Sequence, residues 1–283
     1  MALPFYYFRP SDNVAPNATP TVETGTADAS YPVANLTLLS YAKLAAPSKL
    51  AEVTGAWLLD FGSAQRVDYV VLWHNFDAGI TVSVQMNATN SWGGPTVTTS
   101  PTIPAKRANG YTRKIGVDLR SVSGYSTGGF RYLRVIATGN SVPVGLKVMA
   151  FSSVRQLSQD FLLGREDGQH QIAIDMMTDA GVPWAYDMGS APRTLRGSAV
   201  LSDTDIESVR EWFRACAGRV TPTVVVPDTD STDAWLVRWS PGGFQIQSPA
   251  LLAPALQNTK QFVGINAVSL AFDEITAGDP EWE

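Results

Sequence analysis

Residues 193–228, R-T-L-R-G-S-A-V-L-S-D-T-D-I-E-S-V-R-E-W-F-R-A-C-A-G-R-V-T-P-T-V-V-V-P-D, decide how the second half of the chain folds. Leu195, Gly197, Ala199 and Leu201 alternate with Thr194, Arg196 and Ser198, the two-residue period of a half-buried strand. Ser202 then stands before Asp203 and Asp205, an N-cap with acid in the first turn, where the helix dipole favours negative charge. Ile206, Val209, Phe213 and Cys216 recur at helical spacing with Trp212 beside them, so one stripe of a short helix is apolar. Arg210 and Arg214 fall late in the helix, and Gly218 is placed to end it. Residues 220–226 read as a second strand, closed by Pro227. The spacing predicts strand, lone helix, strand.

Outward from that unit, the chain of 283 residues is long enough for two domains that each bury a core. Its 23 glycines and 18 prolines, with many Thr, Ser and Val, point to strands joined by turns. A net charge of -5 and a pI near 5.1 argue against nucleic acid as the main partner, because phosphate contacts need a basic surface. Cys216 has no second cysteine to pair with and reads as a buried thiol. No run of about 18 apolar residues implies a membrane span. Residues 1–10 lack the basic start and apolar run of a signal peptide, so synthesis in a cytosol is expected.

Phe5, Tyr6, Tyr7 and Phe8 make an aromatic start that water would leave prone to association. It is expected either to add an edge strand to a sheet or to pack on a neighbouring subunit, and residues 11–20 read as a loop. Residues 56–62, 67–76, 80–86, 113–119, 130–138 and 144–151 alternate or run apolar as short strands between turns, which indicates an antiparallel β-sandwich. A linker is expected at residues 156–160, giving domains 1–155 and 156–283. In the second, residues 166–168 read as a turn, 183–187 as a polar-aromatic loop, and 234–239, 244–247 and 261–272 as strands, the last of them central. The fold class is all-β in two domains, the second bearing one α-helix.

Two resemblances follow from these residues. The phrase L-S-D-T-D-I-E-S-V-R-E-W-F-R-A-C-A-G-R before a Val-rich strand resembles the strand–helix–strand core of phage tail-tip proteins, the distal-tail and minor-tail group. The resemblance implies a structural protein of the virion, made in the host cytoplasm. It would form a ring of like subunits, hexamer favoured over trimer, between the tail tube and the tip or hub proteins. Closed rings need a heterologous interface on every subunit; Phe5, Tyr6, Tyr7 and Phe8, with Arg210 and Arg214 on the polar helix face, are the candidates. The second run, W-L-L-D-F-G, V-D-Y-V-V-L, I-T-V-S-V-Q-M-N with Trp92 after it, F-R-Y-L-R-V and L-K-V-M-A-F, resembles the discoidin family of galactose-binding-like sandwiches. The family's cysteine pair is missing, and Gln85, Met86, Asn87 and Ala88 stand where it carries an S-x-D stretch. That resemblance implies a host-surface glycan as a further partner, or a carbohydrate-binding adhesion module outright.

Aromatic side chains in the sandwich loops are the candidate sugar platforms: Tyr31, Trp92 and Tyr111, with Tyr41 and Tyr125, and with Arg107 and Asn109 as hydrogen-bond donors nearby. Loop packing or a subunit contact explains the same residues. No metal site is implied by His74 or His170, which lack partners at ligand spacing, and Asp228, Asp230 and Asp233 read as a solvated turn. With neither a nucleophile elbow nor a phosphate-cradling loop, the chain is expected to be no enzyme and to need no cofactor.

Overall fold

Alternation of apolar and polar residues, carried from strand to strand, builds two units with a core apiece. The structure is a computed structural model that describes residues 5–38, 47–103, 113–157, 163–169, 173–177, 183–187, 193–218, 220–227, 233–247 and 265–274. One unit comprises Ser11–Arg155 with Asp230–Ala234; the other comprises Met1–Pro10, Gln156–Thr229 and Trp235–Ala277. The first ten residues thus belong with the second unit, unlike the expected division at 1–155.

The strands in chain order are β1 (Tyr6–Tyr7), β2 (Thr19–Thr24), β3 (Ser48–Lys49), β4 (Gly55–Gln65), β5 (Tyr69–His74), β6 (Thr81–Asn87), β7 (Val97–Thr99), β8 (Arg113–Asp118), β9 (Phe130–Thr138) and β10 (Gly145–Phe151). They continue with β11 (Arg155–Gln156), β12 (Leu163–Gln169), β13 (Ala173–Met177), β14 (Pro183–Asp187), β15 (Arg193–Ser202), the helix α1 (Asp203–Ala215), β16 (Thr223–Val226), β17 (Trp235–Gln247) and β18 (Ile265–Glu274). Among the described residues α1 is the sole α-helix, and the all-β expectation is met.

In the first unit a five-stranded sheet, β2-β4-β9-β6-β7, faces a four-stranded one, β3-β10-β5-β8, and the pairings within both are antiparallel. Strand β9 shows the sorting. Leu133, Val135 and Ala137 are buried between the sheets, while Tyr132, Arg134 and Ile136 are half-buried on the outer face. Trp57, Leu72, Val84 and Met86 fill the same core. The one polar edge of Trp57 is satisfied: its Nε1 donates to Ser48 Oγ at 3.1 Å. Residues 19–24, read as the end of a loop and beyond, form edge strand β2, paired with β4.

The second unit is a seven-stranded sheet in the order β11-β1-β16-β17-β18-β15-β12, with β18 inside it as the length of its alternation implied. Strands β13 and β14 form a separate two-stranded sheet, so residues 183–187 are a strand where a loop was expected. Glu166 and Asp167 likewise pair with Arg196 and Leu195 in a ladder rather than making a turn.

Helix α1 begins as its sequence dictates: the Asp205 N–H donates to Ser202 Oγ at 3.2 Å. At its end Gly218, at φ +68, donates its N–H to the Phe213 carbonyl at 3.0 Å, a left-handed turn that only glycine makes without cost. The buried stripe is Ile206, Val209, Trp212 and Cys216, with Phe213 at its flank. The indole takes the centre because a cluster of rings receives it: Tyr7 at 4.4 Å, Trp239 at 4.7 Å and Phe272 at 5.3 Å between centroids. Its Nε1 donates to Thr223 Oγ1 at 3.0 Å.

That cluster claims the aromatic strip. Phe5 and Tyr7 are buried in this core, Phe8 is buried as well, and Tyr6 and Tyr7 pair with Val226 and Val225. The strip adds a strand, though between β11 and β16 rather than at the expected edge, and Phe5, Tyr7 and Phe8 are buried rather than turned outward as a ring contact would need. Only Tyr6 is half-buried. The reason is the gain from enclosing three large apolar rings, roughly 2 kcal/mol or more apiece.

One buried cation stands out in the first unit. Lys147 on β10 is fully buried, and its Nζ donates to the Leu38 carbonyl at 2.8 Å. Burial pushes its ammonium down to about 8 from the usual 10.5.

Two expectations follow. Trp212→Ala should lower stability by about 4 kcal/mol, in line with emptying a large aromatic site, as read by denaturant unfolding followed by circular dichroism. Between pH of about 8 and 10.5 the unfolded chain holds the Lys147 proton that the folded one has released, so stability should rise with pH across that window. Lys147→Met should abolish that rise in melting temperature; an unchanged profile would show the ammonium is not the cause.

Candidate functional site

The pleat of β9 that buries Leu133 and Val135 sends Tyr132 and Arg134 to the outer face of the five-stranded sheet. Arg134 lies opposite Leu58 of β4 and Gln85 of β6, and it forms an ion pair with Glu23 of β2. Its Nη1 donates to Gln85 Oε1 at 3.4 Å. Trp92 lies over it, with the guanidinium carbon 5.2 Å from the ring centroid. A cation beneath an indole is an attraction of about 0.5–1 kcal/mol at an exposed site.

The loop that carries Trp92 is set by Asn87, at the end of β6. Asn87 Nδ2 donates to the Ser91 carbonyl at 2.6 Å, and its Oδ1 accepts from Thr96 Oγ1 at 3.0 Å, so one side chain closes the loop on itself. Trp92 Nε1 donates to Asn90 Oδ1 at 2.8 Å, which fixes the edge of the ring. The indole is half-buried and so keeps part of its surface towards solvent.

One pair along β9, Tyr132 lies opposite Asn87 on one side and Asp60 on the other. Arg131 places its guanidinium carbon 5.0 Å from the Tyr132 centroid, while its Nε and Nη2 donate to the two Asp60 oxygens at 2.8 and 2.9 Å. Hydrogen bonds from Arg131 hold the Asp60 carboxyl below its ordinary value, and the same bonds raise the guanidinium. The face thus offers two partly open rings, Trp92 and Tyr132, among fixed carboxylates, guanidinium groups and amides. Such a surface can stack on a flat apolar ring and hydrogen-bond its rim.

The expected site residues do not converge. Tyr31 is at the opposite end of the sandwich from Trp92: its carbonyl accepts from the Lys49 N–H, and Lys49 pairs with Gly145, just past the far end of β9. The span of β9 from Tyr132 to Thr138 alone separates the two ends by roughly 20 Å. Tyr31 has the Lys49 ammonium 5.4 Å from its ring centroid. Tyr125 is taken up structurally, its hydroxyl donating to Asp68, which also accepts from Arg66 Nε at 2.7 Å and Nη2 at 2.6 Å. Burial, with the Asp68 carboxylate second, raises the Tyr125 phenol. Arg107, Tyr111, Tyr41 and Asn109 lie outside the described residues. Of the helix candidates, Arg210 is ion-paired to Glu207 within α1, and Arg214 is exposed.

Tyr132, Arg134 and Glu23 escaped the sequence reading of the site. The first two were visible as the polar phase of F-R-Y-L-R-V, had the outer face of a strand been considered alongside the loops. Glu23 carried no signal, since the loop reading stopped at residue 20 and the rest of β2 was not recognised as a strand. Among the described residues no group of three His, Cys, Asp or Glu side chains is arranged to hold a metal ion, and no helix is long and apolar enough to cross a membrane. His74 ends β5 with its Nδ1 accepting from the Phe76 N–H at 3.0 Å; His170, Asp228 and Asp230 lie outside the described residues.

No protein-family model matches the chain, and no curated protein matches it. Among solved structures, it is similar to a fucose-binding module of Streptococcus pneumoniae at 10% identity and a TM-score of 0.37, over 50% of this chain and 98% of that one. It is similar to the lectin domain of lectinolysin complexed with Lewis B antigen at 12% identity and a TM-score of 0.37, over 50% and 98%. It is likewise similar to a chitosan-binding module from a chitosanase/glucanase of Paenibacillus sp. at 20% identity and a TM-score of 0.35, over 49% and 98%. These scores lie below 0.5, and the fold stands on the strand order and core described above.

Proposed function

We propose that this chain is a carbohydrate-binding adhesion protein whose sandwich unit takes a glycan on the outer face of its five-stranded sheet. The observation that carries the reading is Trp92, an indole fixed at its edge by Asn90, backed by Arg134, and partly open to solvent. Apolar sugar faces stack on such rings, and ligand sites combine an aromatic platform with a few placed polar groups. Glu23, Gln85 and Asn90 supply acceptors beside the ring, and Tyr132 extends the platform. No covalent chemistry is assigned to the chain, which acts by binding.

A second reading, a structural component of a phage-like tail tip, is supported by a different observation. Strand β15, helix α1 and strand β16 follow one another in one sheet-based unit, the order that the tail-protein resemblance implies. In that reading the chain forms a homo-oligomeric ring, hexamer favoured over trimer, between the tail tube and the tip or hub proteins of a virion. Arg214 and the exposed face of α1 are the surface it would use, and the sandwich would meet the host glycan.

Glycan-array screening should find a ligand for the purified chain, and Trp92→Ala should weaken its binding on the order of tenfold or more. Arg134→Ala should weaken it less. A loss that follows Tyr31→Ala and spares Trp92→Ala would move the site to the other end of the sandwich; silence across a broad array would reject the adhesion reading. For the second reading, electron microscopy of the concentrated chain should show closed rings, and a monomer at every concentration would reject it.

A further inference from the structure

Residues 5–9 are held in the second unit as an inserted strand, between β11 and β16. The backbone pairs over Tyr6 and Tyr7 with Val226 and Val225, and the Phe8 N–H donates to the Val224 carbonyl at 3.1 Å. The side chains of Phe5 and Tyr7 enter a pocket floored by Trp212, at 6.5 and 4.4 Å between centroids, with Phe272 6.3 Å from Phe5. Thr223 closes the grip, because its hydroxyl accepts from the Trp212 indole and donates to the Phe8 carbonyl. Beyond it Arg9 forms an ion pair with Glu211 of α1. Ladder, aromatic pocket, carbonyl clamp and terminal ion pair are the four parts of a strand-recognition site.

This segment is distant in sequence from the residues that grip it, Thr223 following Phe8 by 215 positions and Glu211 following Arg9 by 202. In the chain the segment ends at Pro10, and the sandwich unit begins at Ser11. We propose that the cleft between β16 and the helix is a strand-accepting site and that residues 5–9 of a second copy of this chain occupy it when copies assemble. An exchange of this kind trades every contact for an identical one, so concentration and the reach of the connecting residues set the balance. The ladder to β16 that must open is two residue pairs long, and the pairing of β1 with β11 opens with it; the Phe5 and Tyr7 rings and the Thr223 clamp find the same partners in the second copy. The proposal stands apart from the glycan reading, which concerns the other unit.

Two experiments on the full chain test it. Tyr6→Cys with Val226→Cys places a thiol on each strand at a paired position; Cys216 does not compete, because burial pushes its thiol up to about 11. Oxidised across a concentration series, the variant should give covalent dimers and higher species that increase with concentration. Disulfides formed within single chains at every concentration would overturn the proposal. Where the pair fails to oxidise, the full chain with Phe5→Ala and Tyr7→Ala is used with a synthetic peptide spanning residues 3–11. The peptide should raise the melting temperature of that variant in a concentration-dependent way, and a peptide carrying the same two alanines should need on the order of tenfold more. No shift with the native peptide would likewise overturn it.

Discussion

The enclosure of one indole, that of Trp212, is what the second unit is assembled around. Four other rings contact it, from the N-terminal segment, from β17 and from β18, and a hydroxyl on β16 receives its N–H. An indole this large is rarely buried whole, since its polar edge must find a partner and its faces must be matched by neighbours of complementary shape. Here Thr223 meets the first demand and the aromatic neighbours meet the second. The helix is short, so its own propensity contributes little and it holds its place through this one packed stripe. Its capping serine and its closing glycine define where it starts and stops; the indole defines which way it faces.

In the sandwich the corresponding constraint is the pleat, and it links core to surface. Strand β9 cannot bury Leu133 and Val135 without presenting Tyr132 and Arg134 to the other side. Arg134 in turn needs an acceptor and finds Glu23 across two strands, which ties edge strand β2 to the centre of the sheet. Trp92 covers what remains. The candidate site is therefore a by-product of packing order as much as of loop chemistry, and its electrostatics are balanced: each guanidinium on the face is matched by a carboxylate.

Much of this was legible beforehand, for reasons that can be named. The sandwich strands announced themselves because one face is buried and the other is not, which is the condition under which alternation appears in sequence. The cap at Ser202 and the stop at Gly218 are local chemistry and were read as such. The helix stripe was legible too, with Ile206, Val209 and Cys216 buried as read; Trp212 and Phe213 both pack on the core, and spacing alone does not say which of the two is enclosed whole. Residues 166–168 and 183–187 looked like turns for their Gly, Pro and Asp content, yet ladder partners hold them extended, in β15 for the first and in the neighbouring β13 for the second. The site was the least legible part. Tyr31 and Trp92 look alike as loop aromatics, and their separation by the length of a strand is a fact of topology that no local pattern carries. The destination of Phe5, Tyr7 and Phe8 was equally non-local, since their partners come after residue 200.

The position of β1 has a bearing on how the protein is made. Its aromatic residues leave the ribosome before the sandwich, and Thr223, which grips the Phe8 carbonyl, follows 215 residues later. At a synthesis rate on the order of 10 residues per second, that interval is about 20 s, ample time for the sandwich to fold in between. The second unit closes only after Thr223 has been made.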